Sequence, residues 1–220
     1  MKLNFTVSAL LTLAACGCAT PTVRLTDADR SQIHRLSLIA EYSVRNDAVP
    51  NFDMSVLRTL IRETDPRPII RDAILASLRP NDSIKIEHVQ EVYPLWFKGG
   101  QDEKNESVNF KPIKALLQPL GYDGILMVRA TSAFSQAQVD GVAMRLEMSA
   151  RIFRLSDNKQ IYQRFEYQLF GWDYAVILPK NNISRFQVSN ILPKETWMNS
   201  LDTFTRKHWT NWIVKDVMSR

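Results

Sequence analysis

Residues 142 to 169 constrain the fold more than any other stretch. Val142, Met144, Leu146, Met148, Ala150 and Ile152 alternate with Ala143, Arg145, Glu147, Ser149, Arg151 and Phe153. Successive side chains of a strand point to opposite faces, so this pattern predicts one long strand with a buried face and a mostly wet face. Ser156, Asp157, Asn158 and Lys159 carry turn chemistry, because short polar side chains bond their own backbone and tolerate left-handed geometry. Ile161, Phe165, Tyr167 and Leu169 resume the alternation. The expectation is a long β-hairpin, whose apolar face must find a covering layer.

The covering layer is legible as helices. Asp65 is placed to cap one and Pro66 suits its first turn, while Ile70, Ala73, Ile74, Ser77 and Leu78 share a face. Pro80-Asn81-Asp82 ends it. A second helix is predicted over Pro112 to Leu120, stopped by Gly121, and Pro119 disturbs its last turn. A third runs from Lys194 to Met218, with Trp197, Leu201, Phe204, His208 and Trp212 in a stripe beside Met198, Trp209, Ile213 and Val217. Arg206, Lys207 and Lys215 flank it, so the stripe is either core or a docking face. A further helix is expected near Met54 to Arg62.

Strands are expected at Leu36 to Ser43, at Ser83 to Tyr93 and at Gly124 to Arg129, the last an unbroken apolar run of the kind found in central strands. The order strand, helix, strand, helix, strand, hairpin, helix predicts an α/β fold. It is a layered single domain on a mixed β-sheet, with a carboxy-proximal hairpin and a terminal amphipathic helix. With 45% hydrophobic and 23% charged residues in 220, the composition excludes a disordered tail, a collagen-like repeat and a polytopic membrane protein.

The amino terminus carries a different signal. Lys2 is a short positive region, and Leu3 to Ala15 is apolar except at Asn4, Thr6, Ser8 and Thr12. As a helix it would be roughly 20 Å long, too short for a hydrocarbon core of about 30 Å, so it reads as a secretory signal. It ends in Leu13-Ala14-Ala15-Cys16, small residues before a thiol. These four residues resemble the lipobox of bacterial lipoproteins, and the resemblance implies cleavage before Cys16 and a diacylglycerol thioether on Cys16. An ordinary cleavage near Ala19 with a secreted product is the competing reading. Gly17, rather than aspartate, implies by the same resemblance the outer membrane, with the domain on its periplasmic face. The expected division is 1–15 signal peptide, 16–30 lipidated tether and 31–220 periplasmic α/β domain.

The two cysteines, Cys16 and Cys18, both lie in the anchor region. Beyond them no disulfide and no working thiolate is available. The formal charge of +5 is a mild basic excess, too small without a clustered basic face to point to nucleic acid.

Leu116, Leu117, Gly121, Tyr122, Asp123 and Gly124, followed by the strand to Arg129 and the hairpin turn at Asp157-Asn158-Lys159, resemble an element shared by a group of envelope proteins. The group comprises the curli secretion channel subunit, the lipoprotein activators of penicillin-binding proteins and the amino-terminal domain of the Tol-system periplasmic protein. The resemblance spans residues 66–170 and implies an α/β fold and an accessory role. No functional residue carries over.

The search for chemistry returns little. His34, His88 and His208 are far apart in sequence, with no second ligand at helical spacing. No phosphate-cradling glycine motif and no nucleophile elbow occurs. No catalytic residue, metal or cofactor is therefore expected. Asp123, in a turn before an apolar strand, is expected to bind backbone amides. The aromatic residues Trp96, Phe97, Trp172 and Tyr174 are the candidate partner-binding residues, because exposed aromatics on loops anchor interfaces; they would otherwise cap the core at the sheet ends. The functional expectation is a non-catalytic lipoprotein, held to the membrane by its lipid and binding a protein partner in the envelope. The alternative is an auxiliary that binds lipid or a small apolar ligand beside a transporter.

Overall fold

The structure, a computed structural model, describes residues 23–47, 65–79, 82–97, 109–137, 141–169 and 194–218. Its frame is a five-stranded sheet in the order β2-β1-β3-β4-β5. The strands are β1 (Arg35–Asp47), β2 (Lys85–Glu87), β3 (Gly124–Ala137), β4 (Gly141–Arg154) and β5 (Gln160–Leu169). β1 lies parallel to β2 and β3, while β3–β4 and β4–β5 are antiparallel, so the sheet is mixed as expected. The predicted hairpin is β4–β5. Its turn places Asn158 at φ 60°, and the Lys159 amide donates to Asp157 Oδ1 at 3.2 Å.

Pairing in register sorts side chains onto two faces. On the first, Leu38, Leu126, Ile152 and Tyr162 stand side by side across β1, β3, β4 and β5. Together with Leu36, Ala40, Val128, Met148 and Ala150 they form an apolar floor. α2 (Arg67–Leu75) lays Ile70 and Ile74 on it. So does the terminal helix α5 (Lys194–His208), which continues in wider π winding over Trp209–Met218 and buries Leu201, Phe204 and Val217. The terminal stripe is core on these residues.

The second face carries a smaller apolar cluster at one end. Ile39, Ile125, Met127 and Phe153 meet Val92 and Trp96 of α3 (Val92–Phe97) and Ile113 and Leu117 of α4 (Phe110–Leu117). α4 runs into a 3₁₀ turn, Gln118–Leu120, and ends at Gly121 with φ 77°, a left-handed cap that disfavours any residue with a Cβ. Gly124 is required for another reason. A Cβ there would lie 2.7 Å from Leu36 Cδ2 and 2.8 Å from the Phe153 carbonyl oxygen.

Several expectations are corrected. The strand foreseen over Ser83 to Tyr93 is only Lys85–Glu87, and Val92–Phe97 is helical. Tyr93 and Trp96 fall one helical turn apart and reach β1, so tertiary contacts override the alternation of Ile84, Ile86 and Val89. Asp65 is not the N-cap residue of α2, which is Pro66. Asp65 lies at φ 32°, and its carboxylate nonetheless accepts the Arg67 amide at 3.4 Å and pairs with the Arg67 guanidinium. The tether over 16–30 is shorter than expected. Val23 bridges Gln163 on β5, and α1 (Asp27–Arg30) docks through Arg30, which donates to the carbonyls of Val217 and Asp216 at 2.9 and 2.8 Å. Arg154 closes the same junction, reaching Asp29 at 3.0 Å and Asp157 at 2.7 Å. The helix expected near Met54 to Arg62 lies outside the described residues. Among the described residues, no helix is long and apolar enough to cross a membrane.

Candidate functional site

Beyond its apolar cluster the second face becomes polar, row by row. Glu41, Arg129 and Ser149 are in register across β1, β3 and β4; next come Ser43, Thr131 and Glu147, then Arg45, Ala133 and Arg145. Glu41 and Glu147 are each only 3% exposed. A buried carboxylate is tolerable only when paired and hydrogen-bonded, and both are. The Arg129 Nε–H donates to Glu41 Oε2 at 2.6 Å, and the Trp96 indole N–H donates to Glu41 Oε1. Arg45 grips Glu147 with both terminal nitrogens at 2.8 and 3.0 Å, and Arg145 donates from Nε at 2.8 Å. Ser43 Oγ and Thr131 Oγ1, in the same row as Glu147, share a hydrogen bond of 2.7 Å.

Every oxygen of the two carboxylates accepts at least one guanidinium or indole donor. The outward sides of Arg45, Arg129 and Arg145 remain 49%, 31% and 28% accessible. Among the described residues, no three His, Cys, Asp or Glu side chains are grouped to hold a metal ion.

The expected partner anchors are distributed differently. Trp96 is a correction. It is 8% exposed, lies 6.4 Å from the Phe153 ring centroid and spends its N–H on Glu41. It caps the core at the boundary between apolar and charged rows and is not available as an exposed anchor. Phe97 ends α3, but its side chain lies outside the described residues, as do Trp172 and Tyr174. What sequence reasoning missed is the pairing of Glu41 with Arg129 and of Glu147 with Arg45. The residues are visible at alternate strand positions, but the register that joins them is not.

At the opposite end of the sheet, the Gly121-to-Gly124 element ties three strands together. Asp123 Oδ2 accepts the amides of His34 and Arg35 at 2.8 and 3.0 Å, so it binds backbone as expected, though at the start of β1 rather than in its own turn. Arg35 stacks over the Tyr122 ring at 4.2 Å and donates to Glu87 Oε2 at 2.6 Å; the Tyr122 hydroxyl donates to the same oxygen at 2.9 Å. The Arg35 hydrogen bond holds the Glu87 carboxyl below its ordinary range, and burial raises the Tyr122 phenol. These groups set structure.

No protein-family description and no curated protein matches the chain. Solved structures resemble it loosely. The hypothetical protein CT253 from Chlamydia trachomatis is 12% identical with a TM-score of 0.40, covering 81% of this chain and 95% of that one. The PelC dodecamer from Paraburkholderia phytofirmans is 8% identical with a TM-score of 0.35, covering 91% and 96%. The lipoprotein GNA1162 from Neisseria meningitidis is 12% identical with a TM-score of 0.30, covering 76% and 99%. Bacterial lipoproteins are thus among its structural neighbours, and at these scores no activity transfers from them.

Proposed function

We propose that the chain is a non-catalytic lipoprotein of the bacterial envelope that binds a protein partner as an accessory or assembly factor. The observation that carries this reading is Leu13-Ala14-Ala15-Cys16 at the end of an apolar signal, with only six residues between Cys16 and Val23, which joins the fold. Two or three acyl chains on one residue anchor stably where a single chain is marginal. Cys16 is the lipidated residue, and the outer membrane, periplasmic face, is the assigned location. The paired carboxylates of the charged strip support a binding role over catalysis.

The anchor is tested by metabolic labelling with an acyl probe. Wild type labels and Cys16→Ala does not; labelling that persists in the variant overturns the assignment. The accessory role is tested by in-cell crosslinking of the lipidated protein. One dominant envelope partner, lost in Cys16→Ala, is expected, and no partner at all overturns the reading. Trp172 and Tyr174 remain the assigned anchors. Replacing both with alanine is expected to lower the crosslinked yield at least about five-fold, the loss of one strong aromatic contact, with an unchanged Tm. An unchanged yield removes them from the interface.

A further inference from the structure

Where the chain joins the fold, beside Val23, a cleft of about 510 Å³ opens at the β5 edge. Its cationic lining is Arg24, Arg30, Arg164 and Lys215, against one carboxylate, Asp216. That carboxylate is already engaged. It accepts from Arg164 at 2.7 Å and from the Tyr162 hydroxyl at 3.1 Å. Arg30 donates to the backbone carbonyls of Val217 and Asp216. Arg24 is exposed and pairs with no carboxylate among the described residues. The described lining thus carries four cationic side chains and one carboxylate, and three of the cations are guanidinium forks whose geometry matches phosphate oxygens.

Position selects the source of that phosphate. From Cys16 to Val23 the chain can reach no further than about 25 Å even when fully extended. If Cys16 is lipidated, the cleft beside Val23 is held close to the bilayer surface. Val23, 36% exposed, is one of two large apolar residues exposed in the described fold, and it directly precedes Arg24 of the lining.

We propose that this cleft binds the phosphate of an anionic lipid headgroup in the membrane that carries the anchor. The proposal rests on the lipid-anchor reading, and it adds a second contact to it. The acyl chains hold the protein at the bilayer, and the cleft then sets which side of the domain faces the lipid. Each basic residue near an anionic surface adds attraction that salt screens within a Debye length.

The test uses residues 16–220 with Cys16→Ala, which retain every described element but no acyl chain, so the outcome does not depend on acylation. Co-sedimentation is measured with phosphatidylcholine vesicles and with vesicles containing about one third phosphatidylglycerol, at about 100 mM salt. Binding to the anionic vesicles is expected, and Arg24→Glu with Lys215→Glu is expected to weaken it about ten-fold or more. Lys85→Glu with Lys111→Glu, the same charge change at exposed sites on β2 and α4, is expected to stay within about two-fold. If the cleft pair fails to fold, Arg24→Glu alone is expected to weaken binding about three- to five-fold. Equal weakening by both pairs, or no preference for anionic vesicles, overturns the proposal. Binding of free glycerol 3-phosphate in the cleft without vesicle binding also overturns it, in favour of a soluble phosphate ligand. A wild-type chain that takes no acyl label would sink the anchor reading separately, whatever the vesicles do.

Discussion

The two faces of one sheet solve burial differently. On the first, neighbours in register are Leu38, Leu126, Ile152 and Tyr162, covered by α2 and the terminal helix. Burial there is driven by apolar area alone. On the second, the rows run from Ile39 and Met127 to Glu41 and Arg129 and then to Arg45, Glu147 and Arg145. Here each buried carboxylate needs a named partner. The first face tolerates a change of shape poorly, and the second tolerates the loss of a partner poorly.

The largest expected effect comes from removing the cover of the first face. Truncation before Lys194 exposes the floor under Leu201, Phe204 and Val217, each 2% exposed or less. Loss of cooperative unfolding by circular dichroism is expected; a stable truncation would mean that the second face alone holds the fold. Leu126→Ala, at a fully buried position, should cost about 2–5 kcal/mol in denaturant titration. Glu147→Ala should cost less, about 1–3 kcal/mol, because it strands Arg45 and Arg145 at positions that keep some water. Combining Leu126→Ala with Glu147→Ala should give nearly additive losses if the faces are independent.

The smallest effect is on acid stability. The Arg154 guanidinium holds the Asp157 carboxyl down at about 2, and Asp29 and Glu87 are also lowered, chiefly by Thr26 and Arg35. A carboxyl lowered in the folded state stabilises above its unfolded pKa near 4, and this is lost as pH falls through its folded value. Thermal midpoints should therefore decline from about pH 4 toward pH 2. Asp157→Asn should flatten that decline by lowering the midpoint slightly at pH 7 while leaving it little changed near pH 2.

How much of this could be read in advance follows the same division. The first face was legible, because Leu146, Met148, Ala150 and Ile152 advertise it by alternation. The ends of β1 and β3 were not. Thr131, Ser132 and Ala133 have no apolar signal, and β4 holds them extended by pairing that reaches Ala137 and Gly141. The charged rows were visible only as wet positions, since nothing local says that Glu41 will meet Arg129. Trp96 was misread because its partner, Glu41, lies far away in sequence on β1.

The Tyr93 hydroxyl has a consequence of its own. Among the described residues, β2 pairs only with Arg35, Ser37 and the residue between them, and just beyond, at Ala40, Tyr93 takes the amide at 2.8 Å and gives its proton to the carbonyl at 2.5 Å. One side chain thus satisfies both backbone groups that a foreign strand would seek. If Cys16 carries the proposed anchor, molecules confined to the membrane surface meet far more often than in free solution. Under that crowding, a phenol that occupies the docking point at Ala40 works against fibre growth along this edge.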